Sequence, residues 1–258
     1  MSFRDAIEYP DYKLMLQGCA GYIEYEKRDA MYKLALKLIK DANWNAEKLT
    51  EALGVLLLSW NAAFYTKYGS FDFDILEQFI IDNKSLLKHF ERRYIFSYTT
   101  EDNNTIQNLY SSLLEATKSV RKIGRTPVGV SKTLHLLAPN FFSLWDTAIA
   151  KKYKVYWYNG SKLSYNKYIK NQKITYDICE NVVSSYLDDY QLQRNEAITN
   201  ICSKLYPKMA LSIYSKKMPI KKSLVKMIDE FNFAKYRLGL NLDKYKELIE
   251  KIINSLQD

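Results

Sequence analysis

From Leu53 to Phe64 the chain reads LGVLLLSWNAAF, a helix-length run that is apolar on almost every side. A helix with one apolar stripe needs one neighbour, whereas a helix without a polar face needs neighbours all round it. The run falls well short of the length that crosses a bilayer, so it predicts a central helix enclosed by other elements, with no membrane span. Asn43 or Asn45 supplies a cap at its start and Gly69 a C-terminal stop, which predicts one helix over the whole stretch. Only eight Gly and five Pro interrupt 258 residues, so few positions force the chain out of helical geometry.

The flanking segments supply the neighbours. Residues 29–42 place Met31, Leu34, Leu38 and Ala42 at helical spacing, and residues 70–94 read as one or two shorter amphipathic helices. Ile106, Leu109, Leu113, Ala116 and Val120 recur three or four apart, with Gly124 closing that helix. VSKTLHLLA is a further helix ended by Pro139, and FSLWDTAIAKKY another, capped by Ser143 or Asp146. KVYWYNGSK reads as a strand or an aromatic loop turning at Asn159–Gly160. Helical periodicity then resumes to the end. The expectation is an all-α, multi-helix fold with a hairpin between two helices, for which two helical halves around a cleft is one arrangement. No repeat or low-complexity linker marks a boundary, so the division rests on charge: a near-neutral half over 1–100 and a basic half over 101–258.

Residue types limit the chemistry. Three scattered cysteines (Cys19, Cys179, Cys202) without a C-x-x-C and two histidines cannot build a four-thiolate or histidine-rich metal centre. No metal and no cofactor is expected. The opening MSFRDAIEYPDYK has no apolar core of a leader, which with the cysteine usage predicts a cytoplasmic setting. Lys, Asp, Glu, Tyr and backbone groups are left to carry any reaction.

Charge is concentrated rather than spread. Residues 117–173 hold 12 Lys or Arg and one acidic residue, Asp146. Such a block favours a polyanionic partner, DNA or else RNA, over a merely solvated surface. Arg121, Lys122, Arg125, Lys151, Lys152 and Lys154 are its candidate phosphate contacts, with Tyr156 and Trp157 placed for stacking on a base. The alternative for the aromatic run is ordinary core.

Within that block, Lys132 begins a helix, where the helix field disfavours a cation and makes an amine more reactive. Asp146 opens the next helix, where free N–H groups keep a carboxylate ionised. An amine able to attack a sugar carbon and a carboxylate able to offset positive charge form a catalytic pair. The competing reading is a solvated lysine and a simple cap. His135 lies one turn from Lys132, and Trp60–Asn61 interrupts the apolar helix, so these three are candidate pocket residues or packing residues.

TPVGVSKTL, with Pro127, Gly129 and Lys132 in order, followed by LWDTAIA with Asp146–Thr147 and Ile149, resembles the hairpin and aspartate motifs of helix–hairpin–helix DNA glycosylases. The resemblance spans about residues 105–155. It implies that Lys132 forms a Schiff base with the sugar of a damaged nucleotide and that Asp146 assists loss of the base. It also implies that hairpin amides at Gly129, Val130 and Ser131 dock a phosphate. Ser131 stands where that family usually has a second glycine, the Lys-to-Asp interval is shorter, and no four-cysteine cluster follows. Three functions remain open: a base-excision glycosylase with or without lyase activity, a non-catalytic nucleic-acid-binding protein using the basic hairpin, and a helical protein-interaction module. The oligomeric state is not encoded in any pattern found.

Overall fold

The computed structural model describes residues 9–26, 29–122, 124–156, 164–214 and 221–256. In chain order the helices are α1 (Tyr12–Tyr25), α2 (Ala30–Ala42), α3 (Ala46–Trp60), α4 (Ala62–Tyr68) and α5 (Phe73–Glu91). Next come α6 (Asp102–Ala116), α7 (Pro127–Leu137), α8 (Thr147–Lys152) and α9 (Ser164–Tyr190). The last are α10 (Arg194–Asn200), α11 (Tyr206–Ile213), α12 (Leu224–Asn232) and α13 (Lys246–Asn254). Among the described residues there is no strand, only an isolated bridge between Phe71 and Ser119, and no helix is long and apolar enough to cross a membrane. The fold is all-α.

Packing divides the chain at places that charge does not mark. One unit is Ala30–Lys173; the other joins Met1–Asp29 to Ile174–Asp258. The boundary expected at residue 100 falls inside the first of these, because the basic residues that suggested it lie largely on the surface and do not report what is buried beneath.

In the Ala30–Lys173 unit α3 lies along α2 and α5, and α7 packs on α2, α3 and α6. Asn45 caps α3 by accepting from the Lys48 N–H at 2.9 Å, as the sequence predicts. The predicted single helix to Gly69 is instead two, since Asn61 ends α3 and α4 runs only to Tyr68, with Gly69 at φ +88° as the C-cap. Enclosure is also incomplete, for Val55 is 54% exposed on the outer side of α3. The periodicity carried past Ala116 is broken too: α6 stops there, and Val120 stands 64% exposed in the following turn. KVYWYNGSK falls mostly on residues 157–163, outside the described residues.

The other unit is built on α1, which packs against α11, α12 and α13. Gly18 lets the two backbones approach, because a Cβ there would lie 2.8 Å from the Phe231 Cα. Inside this unit sits an ionic cluster. Lys222 pairs with both Asp29 and Glu230, and Lys226 pairs with Asp229 at 2.6 Å. Tyr22 donates to Asp29 at 3.0 Å and Tyr206 to Glu230 at 2.9 Å. The four side chains of Lys222, Lys226, Glu230 and Tyr206 are buried, so each charge is satisfied by a neighbour rather than by water.

Candidate functional site

The segment Thr126–Gly129 is a helix start rather than a hairpin turn. Thr126 accepts from the Gly129 N–H at 3.0 Å and Pro127 occupies the first turn, where its missing N–H costs nothing. Gly129 therefore lies within α7, and the connection from α6 is the longer stretch 117–126. Gly129, Val130 and Ser131 are buried, and the Gly129 and Val130 amides are bonded to Thr126. The expected phosphate cradle is thus closed: its donors are spent on the cap.

The same turn fixes the candidate pair. The Ser131 hydroxyl accepts from the Trp145 N–H at 3.1 Å and lies 3.3 Å from the Trp145 carbonyl oxygen. This ties the residue preceding Lys132 to the residue preceding Asp146. Lys132 is half-buried; its Nζ donates to the Trp60 carbonyl at 2.8 Å and lies 4.7 Å from the centre of the Trp60 ring. A carbonyl at the end of a helix and an indole face both favour the charged ammonium. Asp146, also half-buried, is the N-cap of α8 and accepts from the Ala148 N–H at 2.7 Å.

The irregular backbone between α7 and α8 is held by three side chains of the first turns of α9. Tyr168 donates to the Ser143 carbonyl at 3.1 Å, and the Asn171 amide reaches the Ser143 hydroxyl at 2.9 Å and the Leu144 carbonyl at 3.2 Å. Gln172 both accepts from the Ser143 N–H at 2.8 Å and donates to the Phe141 carbonyl at 2.7 Å. A buried loop needs such partners for its peptide groups. These residues, with Ser131, position Asp146 and were missed by sequence reasoning, since a polar residue at a buried helical position carries no sign of which distant loop it serves.

The pocket candidates do converge. Asn61 donates to the Thr126 hydroxyl at 2.7 Å, linking the break between α3 and α4 to the start of α7. His135 is fully buried, its Nδ1 is 2.8 Å from the Phe142 carbonyl and its Nε2 3.0 Å from the Tyr32 hydroxyl. A carbonyl only accepts, so Nδ1 carries a proton toward Phe142, and Nε2 is paired with the Tyr32 hydroxyl. Trp60 packs at the edge of the apolar cluster of Tyr32, Ala35, Leu56 and Leu136. His135 is therefore a satisfied packing residue one turn below Lys132.

The basic candidates are dispersed. Arg125 is bonded to Glu115 at 2.8 and 3.0 Å, and those bonds hold the Glu115 carboxyl below its ordinary range. Arg121 and Lys122 are exposed in the 117–126 connection. Lys151 and Lys152 are exposed in the last turn of α8, where the helix field favours cations, and Lys154 is in the turn beyond, at φ +55°. Tyr156 lies under Lys151, whose Nζ is 5.2 Å from its ring centre. Trp157 is outside the described residues.

No protein-family model, no curated protein and no solved structure matches this chain.

Proposed function

We propose that this protein is a DNA base-excision glycosylase of the lyase kind, with Lys132 as nucleophile and Asp146 as the carboxylate that assists loss of the base. The observation that carries the reading is the Ser131–Trp145 junction, which sets the helix bearing Lys132 against the cap occupied by Asp146. The Lys132 amine, released from the Trp60 carbonyl and deprotonated, adds to C1′ of a flipped nucleotide. The N-glycosidic bond breaks, and the base leaves with that electron pair and takes up a proton. The Asp146 carboxylate offsets the positive charge that develops on the sugar. The C1′–O4′ bond then breaks, O4′ keeps its electron pair and takes up the remaining amine proton, and the resulting C1′=N Schiff base is reduced by borohydride to a stable adduct.

A second reading is favoured by one specific contact. The Lys132 ammonium already serves the terminal carbonyl of α3 and the Trp60 ring, so it has a structural use without any reaction. In that case the protein binds nucleic acid and does not cleave it. Borohydride trapping on duplexes carrying a panel of damaged bases separates the two. The glycosylase reading expects a covalent adduct from the wild type and none from Lys132→Gln. Binding without adduct or base release on every lesion leaves the binding protein.

A further inference from the structure

The geometry points to a nucleic-acid platform on α4 and the 117–122 turn, in which Phe64 and Tyr68 stack on unpaired bases and Lys67, Arg121 and Lys122 hold the phosphates. The inference rests on the nucleic-acid reading above and adds a surface which that reading does not contain. Phe64 and Tyr68 are half-buried, with ring centres 4.9 Å apart, and the Lys67 ammonium is 5.1 Å from the Tyr68 ring. Gly124 lies directly on these rings, since a Cβ there would be 2.9 Å from Tyr68 and 3.0 Å from Phe64. Hydrogen bonds tie the 119–120 backbone to its surroundings. The Ser119 N–H donates to the Gly124 carbonyl at 2.9 Å, the Val120 N–H donates to the Ser70 carbonyl at 3.0 Å, and the Ser119 hydroxyl bonds the Tyr68 carbonyl. Gly69, at φ +88°, seats the turn, because a Cβ there would be 2.8 Å from that of Arg121.

Isolated exposed apolar residues and lysines are common on any surface. Here they share one fixed turn. Val120 is 64% exposed immediately before Arg121 and Lys122, and neither cation forms an ion pair among the described residues. Of the carboxylates nearby, Glu115 is engaged by Arg125 and Lys118, and Asp72, next to the Phe71 that is bridged to Ser119, caps α5. Stacking rings, cations and a pre-ordered backbone are the components of sequence-tolerant single-strand binding, and ordering them beforehand removes part of the entropic cost. The platform also leads to the candidate site. Phe64 lies one turn beyond Trp60, and its N–H bonds the Asn61 carbonyl at 3.0 Å.

The test uses a fluorescein-labelled oligothymidine and the full-length chain, with helicity checked for each variant. Tyr68→Leu keeps the packing volume and removes the aromatic face; it is expected to weaken binding about tenfold with an unchanged salt slope. Arg121→Ala combined with Lys122→Ala is expected to lower the slope of log affinity against log salt by about 1.4, two phosphates' worth. Lys151→Ala combined with Lys152→Ala serves as the comparison. If the platform variants bind as the wild type does while the comparison variant weakens, the strand runs elsewhere and the platform is wrong. If the wild type binds no oligonucleotide even at low salt, the nucleic-acid reading itself falls, a result distinct from the first.

Discussion

At the scale of single residues the candidate site depends less on its two charged groups than on what lies beside them. Ser131 joins the two segments, since its hydroxyl accepts from the Trp145 N–H while lying within reach of the Val128 and Trp145 carbonyls. Ser131→Ala leaves the buried Trp145 N–H without that acceptor, at a cost of about 1–3 kcal/mol. If Asp146 acts from a position set by this bond, base release by the variant falls while Lys132 still forms the trapped adduct on a preformed abasic sugar. Asp146→Asn is expected to keep the cap, because asparagine caps as well as aspartate, and to slow base release by about two orders of magnitude. Thermal unfolding and single-turnover base release on the same preparation read the two effects separately. Equal losses of stability and activity would mark Asp146 as a cap alone.

At the scale of elements, much was legible because helix ends announce themselves. Asn45 and Asp146 are short polar residues ahead of apolar periodicity, and both accept an N–H of the first turn. What misled was reading T-P-x-G as a turn: Pro127 and Gly129 suit a turn equally well, and only the Thr126 hydroxyl decides in favour of a helix start. The break at Asn61 was visible as a polar interruption, but its partner, Thr126, is 65 positions away. Gly54 carries the same lesson, since a Cβ there would lie 2.3 Å from the Phe73 ring. Thr126→Ala removes the α7 cap and the acceptor for Asn61 together, so it is expected to cost about 1–2 kcal/mol, read as a lower urea midpoint. Thr126→Ser, which restores the hydroxyl, should recover most of it.

At the scale of the whole molecule, helical class was readable and organisation was not. Periodicity shows which face of a helix is buried, never which distant helix buries it, and charge tracks surface. So the joining of residues 1–29 to 174–258 left no trace in composition. Nor did the ionic cluster, whose lysines look like any others in a chain with 38 Lys and Arg. Lys222→Met would strand two buried carboxylates and is expected to destabilise by about 3–5 kcal/mol. Burial pushes the Glu230 carboxyl above its ordinary range, against the pull of Lys222 and Lys226. An acid whose folded pKa is raised contributes stability that is complete below its unfolded pKa and is lost as pH rises through the folded one. The difference in urea midpoint between the wild type and Glu230→Gln should therefore move against the wild type as pH increases over that window. A difference that is flat with pH would mean that Glu230 keeps its ordinary affinity for a proton.

The α1–α12 contact has a consequence in time. Gly18 meets Phe231 at near-backbone distance, yet more than two hundred positions separate them. A ribosome adding about 5–20 residues per second leaves α1 without that partner for roughly 10–40 seconds. Throughout that wait Met15, Leu16, Cys19 and Ile23, all buried in the finished protein, present an unpartnered apolar stripe. The residues between Ala30 and Lys173 complete their own unit in the meantime. Translation order thus leaves α1 waiting for partners that lie almost a whole unit further along the chain.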